Sequence, residues 1–309
     1  MAAPLEEEAQ AGMRIEFNLQ PDDYLPLIEM AKAEDLGRGD LTSRIAAGPR
    51  GAGRWAVVAR EALVWCGGPV AEAVLAAYDA GLTIQWADGV ADGQRVGPER
   101  GPLAAIEGDP RAVLSAERVL LNFVQRLSGI ATATDRYVQA VAGAGAKIYD
   151  TRKTTPGWRK LEKYAVRCGG GFNHRMGLYD AMLIKDNHLA GIELDRLATA
   201  LFEMLNEAGR LAERPSFVEV EVDRIDQLRE VFKVVGIDVV LLDNFSPSAL
   251  AEAVRMRDDE GLRGKVALEA SGGVKLETVR AMAEAGVERI SVGAITHSAT
   301  AVDIAMEAL

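Results

Sequence analysis

The chain has 309 residues, 49% hydrophobic and 26% charged, enough to bury the core of one large or two ordinary globular domains. Its 46 acids outweigh 35 lysines and arginines, and the net charge of −11 argues against nucleic acid or an anionic membrane as the main partner. Two cysteines, Cys66 and Cys168, are too few for a disulfide framework or a thiolate metal centre and fit a reducing, cytoplasmic setting.

Residues 1–13 are acidic and lack the basic and apolar regions of a signal peptide, so a disordered tail is expected there. No apolar run approaches the roughly 20 residues that a spanning helix needs. Residues 21–34 have helical spacing of apolar positions with acids early. The stretch E-D-L-G-R-G-D-L-T-S that follows (34–43) is turn-rich. Strand character over 54–65 gives way to C-G-G-P and a helix over 70–79. Short strands recur at Ile84–Trp86, near Val96 and over Leu103–Glu107, with Asp88-Gly89 and Asp92-Gly93 as turns. This pattern predicts a small α+β domain over 14–125, with no chemistry of its own. Residues 110–142 read as a long helix linking two domains, with Leu114, Leu120, Leu121, Val124 and Leu127 as its apolar stripe. Arg118 and Arg126 sit on or beside that stripe.

From Lys147 the rhythm changes. Apolar runs at 148–150, 182–185, 217–222, 239–243, 266–270 and 290–293 alternate with helical stretches at 156–168, 189–208, 223–235, 247–259 and 274–285. Near-continuous apolar strands alternating with helices predict a parallel sheet. Six such units over 126–296 are too few for a full eightfold barrel of about 250 residues. An incomplete, open α/β barrel and an open sheet both fit. Residues 297–309 are expected to form a final helix that packs back on the first domain.

Candidate chemistry concentrates here. The stretch from Lys147 to His188 holds nine lysines or arginines against four acids, a cationic island in an acidic chain. A solvated basic helix face would give the same composition. However, Arg152, Lys153 and Lys185 follow short apolar runs, which places cations at strand ends, where parallel barrels bind ligands. The other strand ends carry Glu219 and Glu221, Asp243 and Asn244, Glu269 with Ser271-Gly272-Gly273, and Gly293-Ala294. The two glycine loops offer bare amides suited to phosphate, although Gly-Gly is more often only a turn. Carboxylates buried at a strand end need a cation. Glu221 and Asp243 can be ion-paired with Lys153 or Lys185, or can hold Mg²⁺ or ribose hydroxyls. Arg152, His174, Arg175 and Lys185 form a basic side suited to a small, highly charged anion. His174 on its own is ambiguous, and His188 and His297 are weaker candidates.

The motifs D-T-R-K-T-T-P-G (150–157), H-R-M-G-L-Y-D-A-M-L-I-K-D-N-H (174–188), L-L-D-N-F (241–245), L-E-A-S-G-G-V (268–274) and S-V-G-A-I-T-H-S (291–298) closely resemble those of quinolinate phosphoribosyltransferases. The resemblance runs from about residue 15 to the last residue. It implies the incomplete barrel of the type II phosphoribosyltransferases. It also implies transfer of phosphoribosyl from phosphoribosyl pyrophosphate to quinolinate with decarboxylation, in NAD synthesis. By the same resemblance Lys153, Lys185, Glu221 and Asp243 are catalytic. Substrate contacts are Arg118, Thr151, Arg152, Lys153, His174, Arg175, Lys185, Glu221, Asp243, Ser271, Gly272, Gly273, Val292, Gly293 and Ala294. Mg²⁺ is implied at Glu221 and Asp243. The implied assembly is a homodimer, or a hexamer built as a trimer of dimers, with Arg118 reaching the partner's active site. Rival readings are a related enzyme acting on another anion and a non-catalytic nucleotide-binding barrel.

Overall fold

The computed structural model describes residues 19–46 and 53–309; the acidic tail expected over 1–13 lies outside them. The chain divides into two compact units. One holds the described residues from 19 to Asp135 together with Thr154–Gly171 and Ile295–Leu309; the other holds Arg136–Lys153 and Phe172–Ala294.

The N-terminal unit opens with the helix Pro21–Leu36, which starts on a proline and two aspartates, residues that suit a first turn. Asp40 then caps the short helix Leu41–Ala46, accepting the Ser43 amide at 2.9 Å. The strands are β1 (Gly53–Ala59), β2 (Leu63–Val64), β3 (Thr83–Trp86), β4 (Arg95–Val96) and β5 (Pro102–Gly108), with the helix Gly68–Tyr78 after β2. The run expected as one strand over 54–65 is split because Arg60, Glu61 and Ala62 are exposed and leave the sheet. The helix Pro110–Ala140 is continuous. Val113, Ala116, Leu120, Val124, Leu127 and Ala131 form its buried stripe, and Arg118 is exposed. No break occurs at 125/126, where a domain boundary was expected; the units part at Asp135.

The helix expected over 297–309 is corrected to a strand. Only Ala294–His297 is helical there. Ile304–Ala308 is β12, which pairs antiparallel with β1 from Trp55↔Ala308 to Ala59↔Ile304. The sheet order is β12-β1-β5-β3, antiparallel throughout.

In the barrel unit the described residues give six parallel strands: β6 (Lys147–Tyr149), β7 (Met182–Ile184), β8 (Val218–Val222), β9 (Val239–Asp243), β10 (Ala267–Ser271) and β11 (Arg289–Ser291). Their order is β6-β11-β10-β9-β8-β7. Neighbours follow the chain except that β6 pairs with β11, and β6 and β7 are the two edges. The parallel sheet is the one that the sequence pattern predicts, and its open edges agree with the incomplete barrel that the resemblance implies. A single bridge from Tyr149 to Phe172 extends the free edge of β6.

Strand alternation sorts the side chains. Ile148, Val220, Val240, Leu242, Leu268 and Ile290 share one face, and each is at most 1% exposed. Helices Leu194–Ala208, Ile225–Val231, Pro247–Asp259 and Leu276–Glu284 add buried Leu201, Leu228, Leu250 and Val279 to this aliphatic layer. Each such burial is worth about 1.5–3 kcal/mol. The opposite face is charged: register places Glu221 beside Leu241, Leu241 beside Glu269, Glu269 beside Arg289, and Arg289 beside Lys147. Among the described residues no helix is long and apolar enough to cross a membrane.

Candidate active site

The carboxyl ends of the barrel strands gather most of the residues singled out above. Asp150, just past β6, is fully buried and holds the next segment in place. Its carboxylate accepts the His174 amide at 2.8 Å and the Asn173 side-chain amide at 2.6 Å. Phe172 exchanges backbone hydrogen bonds with Ile148 and Asp150. Thr151 Oγ1 accepts the Lys153 amide at 3.0 Å, a turn that leaves Arg152 half-buried and Lys153 exposed. Arg175 is buried; its guanidinium donates to the Ala181 carbonyl at 3.1 Å. Burial lowers the Arg175 pKa, and so does the Arg152 charge, against Glu219 and Asp180. The Arg152 charge thus opposes that of Arg175, and a bound anion would relieve both.

On the other strands, Lys185 Nζ lies 2.5 Å from Glu221 Oε2, the ion pair that burial of the carboxylate demands. Asp243 Oδ2 accepts from the Asn244 side chain at 2.7 Å. Asn244 has φ 57° and its amide donates to the Ser271 carbonyl. Gly272 has φ +87°, and a Cβ there would stand 2.2 Å from Asn244 Oδ1. Only glycine fits this position without strain. Ser271, Gly272, Gly293 and Ala294 are half-buried, Gly273 is exposed, and Val292 is buried with its amide donating to the Tyr149 carbonyl at 2.9 Å.

One layer below lies a cluster that the sequence did not disclose. Glu219, Glu269, Arg289 and His174 are each 7% exposed or less. Arg289 Nε contacts Glu269 Oε2 at 2.6 Å and its guanidinium lies 4.0 Å from the centre of the Tyr149 ring. His174 Nε2 is 2.9 Å from Glu219 Oε2 and 3.3 Å from Glu269 Oε1. The first approach is an ion-pair distance but not an aligned hydrogen bond. Two demands compete at this ring. Burial opposes its charge, yet Glu269 and Glu219 outweigh burial and lift its pKa to about 9. The Arg175 amide, however, donates to Nδ1 at 2.8 Å and needs that nitrogen's lone pair. An unmade buried amide costs about 1–3 kcal/mol, and neutral partners are cheaper to bury than ions. The direct contact therefore decides for a neutral ring. The extra proton then rests on Glu219, whose pKa is raised by burial and by Glu269. Glu219 had been noted only as sharing a strand face with Glu221. Arg289 escaped notice because it was read as preceding its strand.

The comparisons fit this geometry. Residues 40–128 match the model of the quinolinate phosphoribosyl transferase N-terminal domain, and residues 130–307 match that of the C-terminal domain. The chain belongs to the quinolinate phosphoribosyltransferase family. A Mycobacterium leprae relative named nicotinate-nucleotide pyrophosphorylase (carboxylating) is 44% identical over 218 residues, covering 71% of this chain and 73% of its own. A Nicotiana tabacum relative named quinolinate phosphoribosyltransferase (decarboxylating) 1b is 36% identical over 304 residues, covering 92% and 82%. The solved nicotinate-nucleotide pyrophosphorylase from Francisella tularensis superposes with a TM-score of 0.84 at 37% identity, covering 95% of this chain and 98% of that one.

In the barrel unit of this quinolinate phosphoribosyltransferase, two groups among the described residues have donors for a metal. Glu221 and Asp243 offer hard carboxylate oxygens on adjacent strands at the mouth, a set that suits Mg²⁺ carried by phosphates. His174, Glu219 and Glu269 bring three donor atoms within 4.8 Å, but Arg289 already supplies the cation there. Arg118 is on the exposed side of the helix Pro110–Ala140, in the N-terminal unit.

Proposed function

We propose that the chain transfers the phosphoribosyl group of phosphoribosyl pyrophosphate to the ring nitrogen of quinolinate. It releases pyrophosphate and CO₂ and leaves nicotinate mononucleotide, a step of NAD synthesis. The observation that carries this reading is the buried Arg175 beside His174, with the Arg152 charge opposing its own. A 2,3-dicarboxylate relieves that repulsion and a monocarboxylate does so only in part. The names of the relatives support the same substrate.

The pyridine nitrogen attacks the anomeric carbon as the bond to pyrophosphate breaks, through an oxocarbenium-like sugar. Arg152 and Arg175 grip the carboxylates and orient the nitrogen, and His174 lines that pocket. Glu221 and Asp243 face the ribose, where negative charge favours the developing cation. Lys153 and Lys185 meet the phosphate oxygens. Gly272, Gly273 and Ala294 offer backbone amides to the 5-phosphate, on a turn that the Val292 amide fixes to Tyr149, with Gly293, Ser271 and Thr151 beside them. Mg²⁺, held by Glu221 and Asp243, would neutralise charge on the leaving pyrophosphate. Once the nitrogen bears the ribose, the ring is a pyridinium. It accepts the electron pair left at C2 as CO₂ departs, and protonation at C2 completes the product. No enzyme nucleophile or further organic cofactor is required.

The working unit is a homodimer, alone or as a trimer of dimers, in which Arg118 enters the partner's site; the setting is cytoplasmic. The test follows pyrophosphate and labelled CO₂ from quinolinate, and pyrophosphate from nicotinate. Stoichiometric CO₂ and pyrophosphate from quinolinate, with nicotinate very poor, are expected. Equal rates with both acids, or pyrophosphate without CO₂, refute the assignment.

A further inference from the structure

The active-site mouth uses neither cysteine, yet the fold brings the two together. Cys66 precedes the helix Gly68–Tyr78, and Cys168 ends the helix Arg159–Cys168. Both are free thiols, and both belong to the N-terminal unit. Their sulfurs and a carboxylate oxygen of Asp92 lie within 4.8 Å of one another. Cys66 is fully buried and Cys168 is half-buried. The count of two that rules out a disulfide framework does not rule out one bond.

Asp92 is occupied by a structural task. Its Oδ1 accepts the amides of Gly67 and Gly68, each at 3.0 Å, and its Oδ2 accepts the Tyr164 hydroxyl at 2.7 Å. Burial pushes the Cys66 thiol up, with Cys168 and the Asp92 charge acting in the same direction. A dication would need both sulfurs deprotonated beside that carboxylate, whereas oxidation to a disulfide removes both protons and leaves no charge. A cleft lined by Trp65, Gly68, Glu72, Trp86 and Tyr164 opens onto Asp92, the carboxylate beside the two sulfurs.

We propose that Cys66 and Cys168 are a dithiol that closes to an intramolecular disulfide when a peroxide reaches Cys168, the more exposed sulfur. The Cys168 thiolate attacks one peroxide oxygen. The O–O bond breaks, hydroxide leaves and takes up the thiol proton as water, and Cys168 becomes a sulfenic acid. Cys66 sulfur then attacks Cys168 sulfur, the S–O bond breaks, and a second water leaves with the Cys66 proton. Two thiols are oxidised by two electrons and one peroxide is reduced to two waters. The bond ties the end of one helix to the start of another and restricts the unfolded chain.

The experiment uses the full chain, reduced and desalted, with hydrogen peroxide as the probe. Thiols are counted in denaturant and peptides are mapped by mass. The two thiols should fall to none, the intact mass should drop by two hydrogens, and one peptide pair should be linked through Cys66 and Cys168. Dithiothreitol should reverse all three, and the oxidised chain should melt at a higher temperature than the reduced one. Cys168→Ser, at the half-buried position, should keep its one thiol under the same dose. Cys66→Ala should stop at a sulfenic acid on Cys168 that dimedone traps. Survival of both thiols, a bond between chains, or wild-type Cys168 advancing to the sulfinic acid overturns the proposal. So does a zinc ion that stays with the desalted chain and shields both sulfurs.

Discussion

Glu219 and Glu269 share one buried cluster, yet replacing each by glutamine should have unequal effects. Glu269 is the ionised member. Burial pushes its pKa up, but the Arg289 guanidinium at 2.6 Å overcomes that and holds it below the usual carboxylate range. Glu269→Gln removes the anion from a guanidinium that is 3% exposed. Breaking a buried pair from one side costs about 3–5 kcal/mol. Glu219 carries the shared proton, and glutamine is nearly isosteric with a protonated carboxyl, so Glu219→Gln should cost under about 1 kcal/mol. The gap, about 2 kcal/mol or more, is read by urea and thermal unfolding of both variants at pH 7, as roughly 5–10 °C in melting temperature. The pH dependence has a definite sign. The folded pKa of Glu269 lies below its usual 4.5, so the unfolded chain takes up the proton first. Its contribution is complete above that value and is lost as the pH falls below it through the lower folded pKa. This part of the acid limb should be missing in Glu269→Gln. If Glu219→Gln is as damaging as Glu269→Gln, the proton sits on His174 and the reasoning from the Arg175 amide is refuted.

Turnover should stop in excess EDTA and return with Mg²⁺; full activity in EDTA removes the metal from Glu221 and Asp243. Arg152→Ala should raise the quinolinate KM or abolish turnover, a loss of about 2–5 kcal/mol, with an unchanged melting curve. Wild-type kinetics would take Arg152 out of the site. Arg118→Ala and Lys185→Ala should each be inactive, and mixing them should restore some activity through mixed dimers. Verified subunit exchange with no activity ends the shared-site claim. Gly272→Ala should cost about 1–3 kcal/mol in urea unfolding and weaken phosphoribosyl pyrophosphate binding, since it strains a φ of +87° and meets Asn244. A neutral result would show that the Asn244 turn yields freely.

Local signals carried most of the barrel. The helix Pro247–Asp259 follows a Ser246 cap that accepts the Ala249 amide, with proline at its first position, so its start is written in the residues. The strands β8 to β10 are unbroken apolar runs apart from their inward charges, and the charge at their ends located the mouth. What failed was non-local. The segment from Ala299 has helix-forming composition, and its pairing partner, β1, lies almost the whole chain away. Arg289 looked like punctuation before Ile290; its place inside the sheet depends on Glu269 of the neighbouring strand. The helix expected over 189–208 is interrupted at Gly191, φ +81°, so that Asp186–Leu189 and Leu194–Ala208 are separate. The cluster under the mouth was beyond reach for the same reason. Each member is an ordinary residue in its own strand, and only register brings the four together.

The pairing of β12 with β1 also has a consequence for synthesis on the ribosome. β1 is among the first strands to emerge and β12 is the last, after all six barrel strands have been made. Until residue 308 is released, β1 pairs with β5 on one flank and leaves its other flank of amides and carbonyls bare. A bare edge recruits strands from other chains. A nascent or shortened chain that stops before Ile304 thus keeps every residue of the barrel mouth while offering a template for self-association. Its failure should show first as insolubility during expression, ahead of any loss of chemistry.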